Sequence, residues 1–124
     1  MPPITKHFFK TANEDLGRFL EGPINSYDHL RNFDFGPDDR QNVSGLSKYI
    51  SHRVLLEYDV IAQTLAVHSH DDVEKFIQEV FWRVYWKGWL ERRPTVWDDF
   101  VSFDFDNASN SNYQNAIEGK TGIR

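Results

Sequence analysis

"FIQEVFWRVYWKGWL", residues 76–90, contains three tryptophans, two phenylalanines and a tyrosine, with Glu79 and Arg83 set among them. Read at 3.6 residues per turn, Val73, Phe76, Ile77, Val80, Phe81, Val84 and Gly88 fall on one stripe, which predicts a helix over 71–93 that Pro94 ends. Such a helix is roughly 34 Å long at 1.5 Å per residue. Glu79, Trp82 or Arg83, Trp86 and Trp89 or Leu90 recur at the same spacing on a second, offset face. One apolar side can enter a core, whereas the other requires a partner helix or a planar ligand. As a core helix it would carry Glu79 and Arg83 as an i, i+4 ion pair at its edge. As a binding wall it would stack an aromatic ring on indole while the polar pair fixes the ring's orientation.

The rest of the chain predicts an all-α fold, an irregular bundle of about five helices in one domain over residues 1–124. Thr11 and Glu14 have the spacing of a capping box ahead of Leu16, Phe19 and Leu20, which predicts a helix over 11–21 stopped by Gly22 and Pro23. No apolar period survives between there and Ser44, and Gly36, Pro37, Asp38 and Asp39 are turn formers, so this stretch reads as a long loop. Ser44 is an N-cap candidate for a helix that turns Leu46, Tyr49 and Ile50 inward. Val60, Ile61, Thr64, Leu65 and Val67 predict a further helix capped near Asp59, and the tail from Trp97 reads as polar and turn-prone.

Composition narrows the chemistry. The chain of 124 residues has no cysteine, which removes disulfides, thiolate metal sites and cysteine nucleophiles. Its formal net charge is -5 and no half is basic, so any contact with DNA has to come from a local site rather than a bulk field. With no apolar run of membrane-spanning length and no signal peptide in "MPPITKHFFK", a soluble cytoplasmic protein is expected. His68, Ser69, His70 and Asp71 suggest a metal site, but imidazoles two residues apart diverge on a helix, so no metal is expected. Asp98, Asp99, Asp104 and Asp106 read as a solvated acidic segment. The segment "NVSGLS", residues 42–47, combines two hydroxyls with a glycine at a helix start, a composition suited to phosphate oxygens.

Three ordered segments resemble one family: "RNFDFGPDDRQNVSGLSKYISHRVL" (31–55), "EKFIQEVFWRVYWKGWLERRPTVW" (74–97) and "YQNAIEGKTGIR" (113–124). They are similar to the "TSxLSxYL" phosphate loop, the "ELxWREFY" helix and the "WxxGxTGxP" segment of the flavin-binding helical domain of DNA photolyases and cryptochromes. The resemblance implies FAD as cofactor, with Ser44, Gly45, Leu46 and Ser47 at its pyrophosphate, and Tyr27, Phe76 and Arg83 beside it. It further implies that Glu79 bonds both the cofactor and a damaged pyrimidine pair in DNA, and that Trp82 stacks on the flipped-out lesion. Val84, Trp86 and Lys48 depart from the family pattern, standing for its glutamate, tyrosine and proline. The antenna domain and the distal flavin-domain helices of that family have no counterpart in these residues. The resemblance therefore implies the first half of a flavin domain, a lyase-type enzyme or blue-light sensor when a complementing chain or a second copy completes it, and inactive alone. The other expectation is a non-enzymatic helical interaction module that no longer binds FAD.

Overall fold

A computed structural model describes residues 3–103 and 110–122, with side chains from Lys6 onward. The expected all-α class is observed, with no strand among the described residues. The helices are α1 (Pro3–Glu21), α2 (Tyr27–Leu30), α3 (Ser47–Ser51), α4 (Glu57–Val67), α5 (His70–Glu91), α6 (Thr95–Ser102) and α7 (Ser111–Ile117), with a 3-10 turn at Pro23–Ser26. The chain divides into two compact units, Met1–Gly88 and Trp89–Arg124.

Several helix ends differ from expectation for local reasons. Thr11 is not a cap: its hydroxyl donates to the His7 carbonyl (3.1 Å), and the Asn13 amide donates to Phe9 (2.8 Å). Both are bonds to the preceding turn, so α1 runs straight through the supposed capping box. Within the expected loop, Pro23 opens the 3-10 turn and Tyr27–Leu30 forms a single α-turn. Ser44 lies outside α3, because Gly45 takes a φ of +64° that no helix can pass through; Ser44 Oγ instead accepts from the Leu46 N–H at 3.4 Å. α4 starts at Glu57, two residues before Asp59, from an extended Leu56. The tail, expected to be turn-prone, holds α6 and α7, the latter capped by Asn110, whose side chain accepts from the Asn112 N–H. Asp104 and Asp106 lie outside the described residues.

The core belongs to the first unit. Ala12, Leu16, Phe19 and Leu20 of α1 meet Ile24, Leu46, Tyr49, Ile50, Leu55 and Val60, closed by Val73, Phe76, Ile77 and Val80 of α5. The stripe on α5 thus stops at Val80; Phe81, 57% exposed, and Val84 lie in solvent instead of continuing it to Gly88. The intervening loop is tied down by Asn42, 6% exposed, whose amide donates to the carbonyls of Leu30 and Phe33, each at 2.8 Å. One buried side chain therefore holds both ends of an otherwise polar excursion, as a buried amide must be paired. In the second unit no described residue is buried. Among the described residues no helix is long and apolar enough to cross a membrane.

Candidate functional site

The middle of α5 sets Phe76, Glu79, Trp82 and Arg83 at successive steps of three and four residues, and each meets a different environment. Phe76 is 4% exposed and points inward, with its ring 4.9 Å from Phe19 and edge-on to Tyr27 at 5.4 Å. Tyr27 also stands edge-on to Phe19 at 5.8 Å, completing a three-ring cluster. Its phenol is held above the ordinary value of 10.0, first by burial and then by the Glu79 carboxylate, with Arg31 opposing. At pH 7 it is a neutral hydrogen-bond donor beside a carboxylate.

Glu79 and Arg83 do not pair with each other, contrary to the spacing argument. Glu79 Oε1 lies 3.8 Å from Arg31 Nε, just beyond α2. Arg83 Nη2 donates to Ser51 Oγ at 2.6 Å at the end of α3, and its Nε is 3.9 Å from Glu57 Oε1. Glu57 is held in turn by Arg53 at 2.9 Å. Side chains from neighbouring elements compete with the i, i+4 partner, which contributes only about 0.2–0.5 kcal/mol on an isolated helix. The result is a polar seam along α5: Tyr27, Arg31 and Glu79 at one level, Arg83, Ser51 and Glu57 one turn on. Spacing on the helix pointed to Glu79 and Arg83, and the family resemblance alone to Tyr27; Arg31, Ser51, Glu57 and the clamp Asn42 were missed. Arg31 stands four residues after Tyr27 and was readable as its helical neighbour, whereas the other contacts are long-range pairings without a local pattern.

Trp82 is 51% exposed. Tyr85 meets it edge-on at 5.5 Å, and Trp86 lies near-parallel at 6.3 Å with 26° between the rings. Gln78, Phe81, Trp82 and Tyr85 line an open groove on this face.

The phosphate-loop candidates are divided. Leu46 is 1% exposed and its side chain belongs to the core, Ser44 is half-buried and engaged by the Leu46 N–H, and Gly45 and Ser47 are exposed. α3, which opens at Ser47, touches α5 through Ser51 and Arg83. The groups this region leaves to a ligand are hydroxyls on the loop, a guanidinium held by Ser51 and Glu57, a carboxylate acceptor and an exposed indole. The side chains of Phe76 and Leu46 are committed to packing and are not among them. Among the described residues no group of three or more His, Asp or Glu side chains is placed to hold a metal ion. No family model, curated protein or solved structure matches the chain.

Proposed function

We propose that this chain supplies one wall of an FAD site of the photolyase and cryptochrome kind. The observation that carries the reading is the polar seam of α5. Glu79 and Arg83, two residues that the sequence resemblance assigns to the cofactor, turn away from each other toward α2 and α3, leaving Trp82 exposed on the same helix. In this reading Arg83, braced by Ser51 and Glu57, attracts the anionic cofactor, and Ser47 offers its hydroxyl to phosphate oxygen. Glu79 accepts hydrogen bonds from the N–H groups of a heterocycle and so fixes its rotation. Trp82 provides the face on which a flipped-out base of damaged DNA stacks. FAD, when bound, supplies light-driven electron transfer to a pyrimidine dimer; the protein binds, orients and positions. An indole half open to water does not shield that chemistry, so a second surface, from another copy or a complementing chain, completes the enclosure.

A second reading, a helical interaction module without cofactor, is favoured by the run of half-exposed aromatics at Phe81, Trp82, Tyr85 and Trp86. Titrating FAD with the chain separates the two. Stacking on indole quenches flavin emission, so the first reading expects saturable quenching that Arg83→Ala weakens about tenfold or more, as loss of a hydrogen bond to a charged group would. Absence of saturable quenching up to millimolar protein sinks the flavin reading and leaves the interaction module.

A further inference from the structure

The link between α3 and α4 places an arginine where backbone geometry favours glycine. Beyond Ser51, the last residue of α3, the Arg53 N–H donates to the Ile50 carbonyl at 3.1 Å and the Val54 N–H to the Tyr49 carbonyl at 2.9 Å. These two bonds close a helix end in which the residue at the place of Arg53 turns left-handed, a position taken most often by glycine and sometimes by asparagine. Arg53 adopts it with a φ of +58°, alone among the described residues other than glycine. A Cβ is unfavourable in that conformation, and the closure itself uses only backbone atoms, so ending the helix gives no reason for an arginine. The side chain does: Arg53 Nη1 donates to Glu57 Oε2 at 2.9 Å.

The consequence falls on Arg83. The Glu57 side chain is only 12% exposed and stands between two guanidinium groups. Arg53 takes Oε2 in a direct hydrogen bond, while Arg83 Nε stays 3.9 Å from Oε1, beyond hydrogen-bond reach. Arg83 donates instead to a neutral acceptor, Ser51 Oγ, at 2.6 Å. One carboxylate is thus shared by two cations, and positive charge is left over at Arg83 in a chain whose net charge is -5. Without Arg53, Glu57 would be a single carboxylate largely withdrawn from water, with Arg83 already beside it as the cation to neutralise it. We propose that Arg53 is a positioning residue: by occupying Glu57 it keeps the Arg83 guanidinium braced on Ser51 but electrostatically uncommitted, and so available to an anion. That this anion is the flavin dinucleotide rests on the flavin reading, whereas the control of Arg83 by Arg53 does not.

The side-chain Nε–H resonance of Arg83 in an isotope-labelled chain reads this control with no flavin present, and Arg83→Lys identifies it by its disappearance. Arg53→Gly should move that resonance downfield and slow its exchange with water by about tenfold, as a charge-assisted bond to Glu57 forms. Glu57→Gln in the same chain should cancel the change, and Arg53→Lys, which keeps a cation for Glu57, should leave the resonance near its wild-type place. Glycine suits the backbone here, so Arg53→Gly should melt no lower than wild type, with helix content checked by circular dichroism. In the FAD titration, Arg53→Gly should weaken saturable quenching by about five- to tenfold, approaching the loss expected for Arg83→Ala, and Arg53→Gly/Glu57→Gln should recover it. An unchanged Arg83 resonance in Arg53→Gly overturns the proposal. So does a shifted resonance with FAD binding equal to wild type, or a lowered melting temperature with a resonance that Glu57→Gln does not restore, which would make Arg53 a structural cap only. A wild-type chain that binds no FAD, but whose Arg83 resonance responds to Arg53→Gly and Glu57→Gln as stated, removes the flavin and upholds the control of Arg83 by Arg53.

Discussion

The two halves of α5 have opposite fates, and the half richer in apolar residues is the less buried. From His70 to Val80 the apolar residues Val73, Phe76, Ile77 and Val80 are all buried, while from Phe81 to Trp86 every apolar side chain is half exposed or nearly so. Periodicity does not distinguish them, since the same three-and-four spacing runs through both. The difference lies in what stands opposite. Phe19 of α1 and Tyr27 of α2 cover Phe76, whereas Arg83 in the second half meets the polar side chains of Ser51 and Glu57. A helix thus shows where its apolar faces are, and the rest of the fold decides which of them become core.

The sharpest way to break this comparison is to truncate Phe76. Its ring is in contact with two other aromatic rings at the centre of the core, and Phe76→Ala removes that volume from a site that cannot readily collapse. The expected cost is about 3–5 kcal/mol in urea unfolding. A loss of under about 1 kcal/mol would mean that the first half of α5 is no more embedded than the second.

A smaller effect is expected at Tyr49, 7% exposed, which faces the same core from α3 and donates its hydroxyl to Asp15 Oδ2 at 2.5 Å. Removing the hydroxyl in Tyr49→Phe should cost about 1–2 kcal/mol, because a hydrogen bond to a carboxylate is lost while Arg18 still pairs with Asp15. The bond to Asp15, followed by burial, raises the phenol above its ordinary 10.0. The folded state therefore holds this proton more tightly than the unfolded chain. The associated stability is fully present below pH 10.0 and is lost as pH rises through the higher folded value. Urea midpoints measured along an alkaline series should accordingly converge for wild type and Tyr49→Phe; Tyr27, raised in the same direction, remains in both. Curves that stay parallel would remove the Asp15 bond from the account.

This contrast also marks what could be read in advance. The helical class, the long central helix and the inward turn of Leu46, Tyr49 and Ile50 were legible because each rests on local periodicity. The start of α1 was not, because Thr11 and Asn13 suit a cap and a mid-helix bond to the preceding turn equally well. The helix cap expected at Ser44 lies two residues early, because a serine before a glycine reads as a cap until the positive φ is known. At the candidate site, Glu79, Trp82 and Arg83 follow from spacing on one helix. Their partners Arg31, Ser51 and Glu57 depend on how α2, α3 and α4 pack, information that no local window contains.

The smallest expected effect is the most informative about the exposed half. Trp82→Ala deletes the largest side-chain type in the protein, and area alone would rank it with Phe76→Ala. Half of that indole is already in water, however, so truncation returns far less apolar surface to solvent and opens no internal cavity. Tyr85 and Trp86 remain in edge-on contact at 5.3 Å after the indole is gone, so the local cluster is thinned and not dissolved. The lost ring pairing, worth about 0.5–1.5 kcal/mol, is offset by the higher helix propensity of alanine, a gain of roughly 0.5 kcal/mol at an exposed position. The net change should stay within about 1 kcal/mol when unfolding is followed at low micromolar concentration, where association contributes least. Repeating the titration at high concentration then separates intrinsic from acquired burial. If Trp82 is covered only by another copy, the gap between wild type and Trp82→Ala widens with protein concentration. If the gap is already several kcal/mol in dilute solution, Trp82 is as embedded as Phe76 and the two halves of α5 are alike after all.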